Sequence, residues 1–361
     1  MTKTLLKKGG YCTDIHFGKK ANSQLHNEDC LRYLDWFCEK VKEEKCDYVA
    51  FLGDWNENRS ALNVATLNYS YKGAKKLNDL GLPVYFVVGN HDLYHRHSRE
   101  VHSVVPFNEF SNFILIENPT VVDDIEGKVL FVPYLFHEEY EKLAEHLKIP
   151  FWAGHFEFKG FEVTGYGMKM PTGPDPKDYF GPDHIVSGHF HKRQADANVI
   201  YIGNCFPMDF GDAGDTGRGM MTYEHTKKSM IFHDWKECPK YVKATLSSFL
   251  DNTVTMYPDA RVKCIVDIPV TFEESTYLRQ SFTEKYSLRE FVMEESMQLK
   301  EALTETKTDV DWEEHKLSSV DDLVVQMLRD IESDHINNQK LVEIYRDLTV
   351  MEPVETQDPE K

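Results

Sequence analysis

Apolar positions along the chain fall into two alternating patterns. Short runs of β-branched and aromatic residues stop abruptly at a glycine: residues 47–52 before Gly53, 84–88 before Gly89, 151–153 before Gly154, and 184–187 before Gly188. Such runs read as buried parallel strands whose glycine lets the backbone turn away. Between the first two, apolar residues recur at helical spacing. Residues 27–44 place Cys30, Leu34, Phe37, Cys38 and Val41 on one face, and residues 60–80 read as a second helix, closed by Gly81 with Pro83 just beyond. With residues 10–13 as a short, polar first strand after Lys7, Lys8, Gly9 and Gly10, the order βαβαβ is complete by residue 92. Further strands are predicted at 113–116, 128–133 and 199–202, a helix at 137–148, and a closing layer of antiparallel strands that includes a hairpin over 219–235 turning near Lys227 and Lys228. The fold class is α/β, with the catalytic chemistry of such sheets expected beyond the carboxyl ends of the strands.

After residue 235 the pattern changes. A strand at 260–268, a helix at 272–286 and a strand at 288–293 predict a small α+β unit over 236–300. Residues 301–318 read as an acidic linker. Residues 319–350 read as a helical hairpin: Ser319 and Asp322 form a capping box ahead of Val320, Leu323, Val324, Met327, Leu328 and Ile331, and a second arm from Asn338 carries Leu341, Ile344, Tyr345 and Leu348. Residues 351–361 read as a disordered acidic tail.

The net charge of −19 argues at first against a nucleic-acid partner, since affinity for phosphate backbones comes mainly from Lys and Arg. Its placement changes the picture. Residues 301–361 carry 17 Asp and Glu against 6 Lys and Arg, so more than half of the net charge lies in the tail. The seven cysteines form no C-x-x-C pair, which suggests neither a disulfide framework nor a zinc knuckle and fits a reducing cytosol. No run approaches the ~18 apolar residues of a membrane span, and the first eight residues lack the apolar core of a signal peptide, so a soluble, cytoplasmic protein is expected.

The strand ends collect the candidate chemistry. Asp14 and His16 form a D-x-H in which alternate residues of an extended backbone point to one side. Asp54 follows Gly53, Asn90 and His91 follow Gly89, His155 follows Gly154, and His189 and His191 follow Gly188. Any one of these could be an ordinary surface or capping residue. Their repetition at strand ends makes Asp14, His16, Asp54, Asn90, His155, His189 and His191 a dinuclear metal set, able to neutralise a phosphodiester and activate water with two ions ~3.5–4 Å apart. Asp54 has two oxygens to share and is the candidate bridge. His91, beside a ligand but outside the set, is free to protonate a leaving oxygen, and Glu57 is a candidate to orient its ring.

The series D-x-H, G-D-x-x-E, G-N-H-D, G-H and G-H-x-H over residues 10–235 resembles the calcineurin-like metallophosphoesterase superfamily. Residues 167–169, 187–191 and 197–203 carry the resemblance further, to the nuclease subunit of SbcCD-type DNA repair and recombination complexes and to the recombination endonucleases of T-even-like bacteriophages. The resemblance implies a four-layer α-β-β-α sandwich over 1–235, a DNA-contacting cap over 236–300, and manganese or magnesium as cofactor. One ion would be held by Asp14, His16, Asp54 and His191, the other by Asp54, Asn90, His155 and His189, with His91 catalytic. It implies a DNA exonuclease and endonuclease, part of a homodimer within a heterotetramer, whose C-terminal hairpin docks on an SMC-like ATPase. Lys19, Lys20, Arg59, Arg96, Lys192 and Arg193, all near the metal loops, are the candidate DNA contacts. A phosphatase or small phosphodiesterase of the same superfamily is the alternative enzyme, and a non-catalytic DNA-binding scaffold the alternative of another class.

Overall fold

The first strand, β1 (Lys8–Cys12), is polar at its start, and Asp47 ties that end down. One oxygen of that carboxylate accepts the backbone N–H groups of Lys7 and Lys8 at 2.8 and 2.9 Å. β1 runs parallel to β2 (Tyr48–Leu52), followed by β3 (Val84–Val87) and β4 (Phe113–Ile116), also parallel. A second sheet holds β5 (Thr120–Val122), β6 (Val129–Val132), β7 (Phe151–Gly154), β8 (His184–Ser187), β9 (Gln194–Asp196) and β10 (Val199–Tyr201), in the order β5-β6-β7-β8-β10-β9. The hairpin β11 (Gly219–Glu224) and β12 (Ser229–Asp234) returns to the first sheet, whose order is β12-β11-β1-β2-β3-β4. The expected closing layer therefore divides. β11 and β12 pair antiparallel on β1, whereas β10 lies parallel to β8 and only the three-residue β9 runs against it. The computed structural model describes residues 5–163, 167–215, 217–296, 328 and 337–349.

The two sheets pack face to face. Along β2 the period of two is complete: Tyr48, Ala50 and Leu52 face Phe131, Phe151, Ala153 and Val186 of the second sheet. Val49 and Phe51 face the other way, against α1 (Gln24–Glu43) through Cys30, Leu34, Phe37 and Val41. α1 lies beside α2 (Val64–Asn78) on that outer face. α2 begins four residues later than the pattern predicts, because Asn58 captures the Ser60 N–H in a local turn at 2.9 Å and Asn63 caps the helix by accepting from Thr66 N at 2.7 Å. The fourth layer, over the second sheet, is the 3-10 segment His137–His146 with the loop that follows β7. Its buried residues, Tyr140 and Leu143, are three apart, and three residues make one turn of a 3-10 helix, so this winding turns both inward. The architecture is the expected α-β-β-α sandwich.

Beyond Trp235 come β13 (Tyr241–Thr245), α3 (Leu246–Leu250), β14 (Arg261–Val266), α4 (Phe272–Tyr286) and β15 (Glu290–Glu295), with the strands in one parallel sheet ordered β13-β14-β15. Residues up to 296 form one compact unit. The small sheet is joined to the rest by Tyr241, whose hydroxyl donates to the Met208 carbonyl at 2.7 Å, and by Arg289, 2.6 Å from Asp29 of α1. In the second unit a helix, α5 (Asn338–Thr349), starts where the second arm is expected. The linker at 301–318, the tail at 351–361 and, apart from Leu328, the first arm lie outside the described residues. Among the described residues, no helix is long and apolar enough to cross a membrane.

Candidate metal centre

Parallel strands put their carboxyl ends on one edge, and here β1, β2 and β3 meet β7 and β8 at that edge. Gly188 allows the approach: a Cβ there would lie 2.0 Å from Thr13 Oγ1 and 2.7 Å from the Leu52 carbonyl. Gly89 does the same for the third loop, with a virtual Cβ 2.2 Å from Asp54 N. The loops are then tied by Asp92. This buried carboxylate accepts the N–H groups of Asp54, Trp55, Asn56 and Gly89 at 3.0–3.1 Å. Burial beside Asp54 raises its carboxyl to about 6, while the four N–H donors favour its anion.

All seven predicted ligands converge on this edge. His16 Nε2 and His191 Nε2 are 3.1 Å apart and lie 3.8 and 3.9 Å from Asp14 Oδ1. On the other side Asn90 Oδ1 is 2.9 Å from His155 Nε2 and 3.0 Å from His189 Nδ1. Asp54 Oδ2 stands between the groups, 3.9 Å from His16 Nε2 and 3.4 Å from His155 Nε2. The reach differs from the extended D-x-H expected. Asp14 and His16 have φ of 53° and 52°, as Asp54 and His189 have 59° and 86°. The left-handed backbone follows from docking this loop on the next, where Asp14 N donates to Gly53 O at 3.0 Å and His16 N to Asp54 O at 3.2 Å. Non-glycine residues in this region carry a strain of about 1–3 kcal/mol each, which clusters at functional sites.

The hydrogen bonds decide which nitrogens face inward. His155 Nδ1–H donates to the Leu52 carbonyl at 2.7 Å, leaving Nε2 for the centre. The Nε2 of His189 is 3.0 Å from Glu157 Oε2, which leaves Nδ1 for the centre. Three lone pairs, from Asn90 Oδ1, His155 Nε2 and His189 Nδ1, would thus converge beside an anionic Asp54, an arrangement that requires a positive charge between them. A proton can supply it: burial depresses the His155 imidazole, but Asp54, Asp14 and the Leu52 carbonyl together outweigh burial and raise it to about 9. A divalent cation would supply it better, and imidazole, carboxylate and amide oxygen are donors that such ions take. Burial opposes ionisation of Asp54 as well, yet His155, His91 and His16 together hold it well below the usual carboxylate range. His191 is held neutral by burial and by His16, so its lone pair is available.

Glu57 and His91 lie beside the first group. The ring of His91 is oriented by the backbone carbonyl of Glu57, 2.9 Å from Nδ1, while its backbone N–H donates to Asp54 Oδ1 at 2.8 Å. The Glu57 carboxylate itself stands 2.7 Å from His16 Nδ1 and 4.0 Å from His91 Nδ1. His16 holds it down at about 2, against the effect of burial. The predicted basic contacts are scattered in state. Lys192 pairs with Glu162 at 2.6 Å, and Arg193 pairs with Asp234 at 2.9 Å while stacking on Phe232. Lys20 donates to the Tyr241 hydroxyl at 2.6 Å and Lys19 is 3.6 Å from Glu57. Arg96 is exposed and Arg59 half-buried on the loops after β3 and β2. The sequence reading gave no role to Asp92, Glu157 or the buried Arg218, which donates to the His191 carbonyl. Asp92 and Glu157 each fall within two residues of a motif histidine, a spacing that was available as a signal.

The calcineurin-like phosphoesterase family model matches residues 10–193, half of the chain and all seven converging ligands. The exonuclease subunit 1 of Enterobacteria phage T4 is 30% identical over 215 residues, 58% of this chain and 62% of that protein. The aligned part of this chain thus spans about three fifths of the relative's length. Among solved structures, a dimetal phosphatase from Danio rerio is 10% identical with a TM-score of 0.40, covering 64% of this chain and 96% of its own. An archaeal phosphodiesterase is 13% identical with a TM-score of 0.35, covering 63% and 99%. On the family match and the converging residues, this chain belongs to the calcineurin-like phosphoesterase family.

Proposed function

We propose that the protein is a nuclease that hydrolyses DNA phosphodiester bonds with two divalent ions, manganese or magnesium, as an exonuclease and endonuclease in recombination and repair. The observation that carries this reading is Asp54, a single carboxylate facing two adjacent ligand groups through Oδ2. Two divalent cations, one with Asp14, His16, Asp54 and His191 and one with Asp54, Asn90, His155 and His189, would neutralise the phosphate and acidify the attacking water. His91 is the proton donor. With Nδ1–H committed to the Glu57 carbonyl, the ring would donate from Nε2–H as the imidazolium and be left as the neutral Nδ1–H tautomer, and it is open enough to solvent to reach a leaving oxygen.

DNA rather than a small phosphoester is supported by the name of the T4 relative, an exonuclease subunit. The word subunit supports a complex, and we assign to it an SMC-like ATPase docking on residues 319–350. A homodimer is supported by α2, where Val64, Leu67 and Tyr71 are 84%, 51% and 54% exposed at the spacing of one helix face. The DNA contacts proposed are Lys19, Lys20, Arg59, Arg96, Lys192 and Arg193, and the site of action is the cytoplasm, that of the host for a phage protein. The test is manganese-dependent cleavage of a labelled duplex by the full chain, beside hydrolysis of para-nitrophenyl phosphate. Cleavage of DNA is expected. Turnover of the monoester alone would transfer the reading to a phosphatase, and inactivity on both in saturating manganese to a scaffold.

A further inference from the structure

We propose that Glu157 is a positioning residue, which by holding the Nε2 edge of His189 sets that ring to present Nδ1 to the second ion; this rests on the two-metal reading above. The argument starts from an asymmetry between two imidazoles that flank the same atom. His155 faces Asn90 Oδ1 through Nε2, with its Nδ1 fixed by a main-chain carbonyl that no side-chain change can remove. His189 faces the same oxygen through Nδ1, and the other nitrogen is fixed by a side chain, the carboxylate of Glu157 at 3.0 Å. A neutral imidazole carries its proton on either nitrogen, so without an acceptor at Nε2 nothing on that edge selects the tautomer whose Nδ1 lone pair points inward.

The backbone holds Glu157 for this task. It follows His155 by two residues on the loop after β7, and its N–H donates to the buried Tyr140 hydroxyl at 2.9 Å. Its carboxylate belongs to none of the groups whose donor atoms converge among the described residues, which are Asp14, His16 and His191; His16, Glu57 and His91; and Asp54, His155 and His189. Glu157 therefore acts through His189 and does not itself ligate. Glu57 stands in a similar relation to His16, but its carboxylate also reaches Lys19 and the neighbourhood of His91, so a change there would disturb several groups. Glu157 is the cleaner case.

The test is manganese binding to the full chain by calorimetry at neutral pH, with electron paramagnetic resonance to distinguish a spin-coupled pair from isolated ions. The wild type should bind two ions. Glu157→Leu should weaken one of them by roughly 10–100-fold and leave the other unchanged, because hydrogen-bond partners of a metal-bound imidazole act on that scale. The coupled signal should give way to that of an isolated ion. Glu157→Gln keeps an acceptor oxygen at the same reach and should retain the pair. Glu157→Asp keeps the charge but shortens the reach and should lose it. Melting in chelator should be the same for all four proteins. A wild type that binds one ion refutes the two-metal reading itself. A wild type with two ions and a Leu variant that also binds two with equal affinity overturns the role of Glu157. So does the opposite ranking, with Asp normal and Gln impaired, since charge at a distance would then be what matters.

Discussion

Asp54 stands between the two ligand groups, and three predictions belong at this scale. Asp54→Ala should abolish hydrolysis, because one carboxylate serves both ligand groups. His91→Ala should bind two manganese ions normally while losing roughly 10²–10⁴-fold in rate, the usual worth of a positioned proton donor. Calorimetry that finds one ion fewer in His91→Ala would make it a ligand. The third prediction concerns protons. His155, raised to about 9 against burial by Asp54 and its other partners, would carry a proton at pH 7 in the metal-free protein and, on the proposed reading, release it when an ion binds. Manganese titrations in buffers of different ionisation enthalpy should therefore show net proton release at pH 7, diminishing as pH rises past 9; heats independent of buffer would contradict the assignment. The positions of Asp54, Asn90, His155, His189 and His191 on this edge were legible because each lies within three residues of a strand-ending glycine. The approach by which Asp14 and His16 reach the centre was not, because positive φ at both residues comes from hydrogen bonds to a loop forty residues away.

At the scale of elements, the residue after Asp54 anchors the loop to the core. Trp55 is fully buried against Phe17, Phe51, Phe86 and Phe107, and its Nε1–H donates to Ser70 Oγ at 2.8 Å. Trp55→Ala should cost about 3–5 kcal/mol in denaturant unfolding, and a loss below ~1 kcal/mol would mean that the loop is held by Asp92 alone. The exposed face of α2 has a different consequence. If it is the homodimer contact, Leu67→Glu should convert the protein to a monomer by light scattering with no change in melting temperature. A mutant that keeps the wild-type mass removes this face from the interface. Strands β2, β3, β7 and β8 were legible as apolar runs. β5, β9 and β13 were not: each is an edge strand, two of them only three residues long, and an edge strand needs no continuous apolar run.

For the molecule as a whole, acid sensitivity follows from burial between the sheets. His225 is buried on Phe151 and Tyr223, with Nε2 2.6 Å from the Tyr48 hydroxyl, and desolvation lowers it to about 4. In the unfolded chain it titrates near 6.5, so between those values the unfolded state binds the proton and the folded state does not. Stability from this group is full above pH 6.5 and is lost as pH falls toward 4, by roughly 3 kcal/mol over that window. Chemical denaturation of wild type and His225→Gln across pH 4–7 should show the slope reduced by about one proton in the variant. Equal slopes would show that His225 is solvated in the native state.

The sequence by itself determined the α/β class, the order of the first strands and helices, and most of the side chains that gather at the strand ends, because these depend on local periodicity and on glycines at strand ends. Only the tertiary structure decided how the chain divides between two sheets, since the same short apolar strand suits either: β10 joins the second sheet in parallel and β11 returns to β1. It also decided which nitrogen of each histidine faces the centre. That choice lies with partners distant in sequence, the Leu52 carbonyl for His155 and the Glu157 carboxylate for His189, and becomes physical only when the two sheets close on one another.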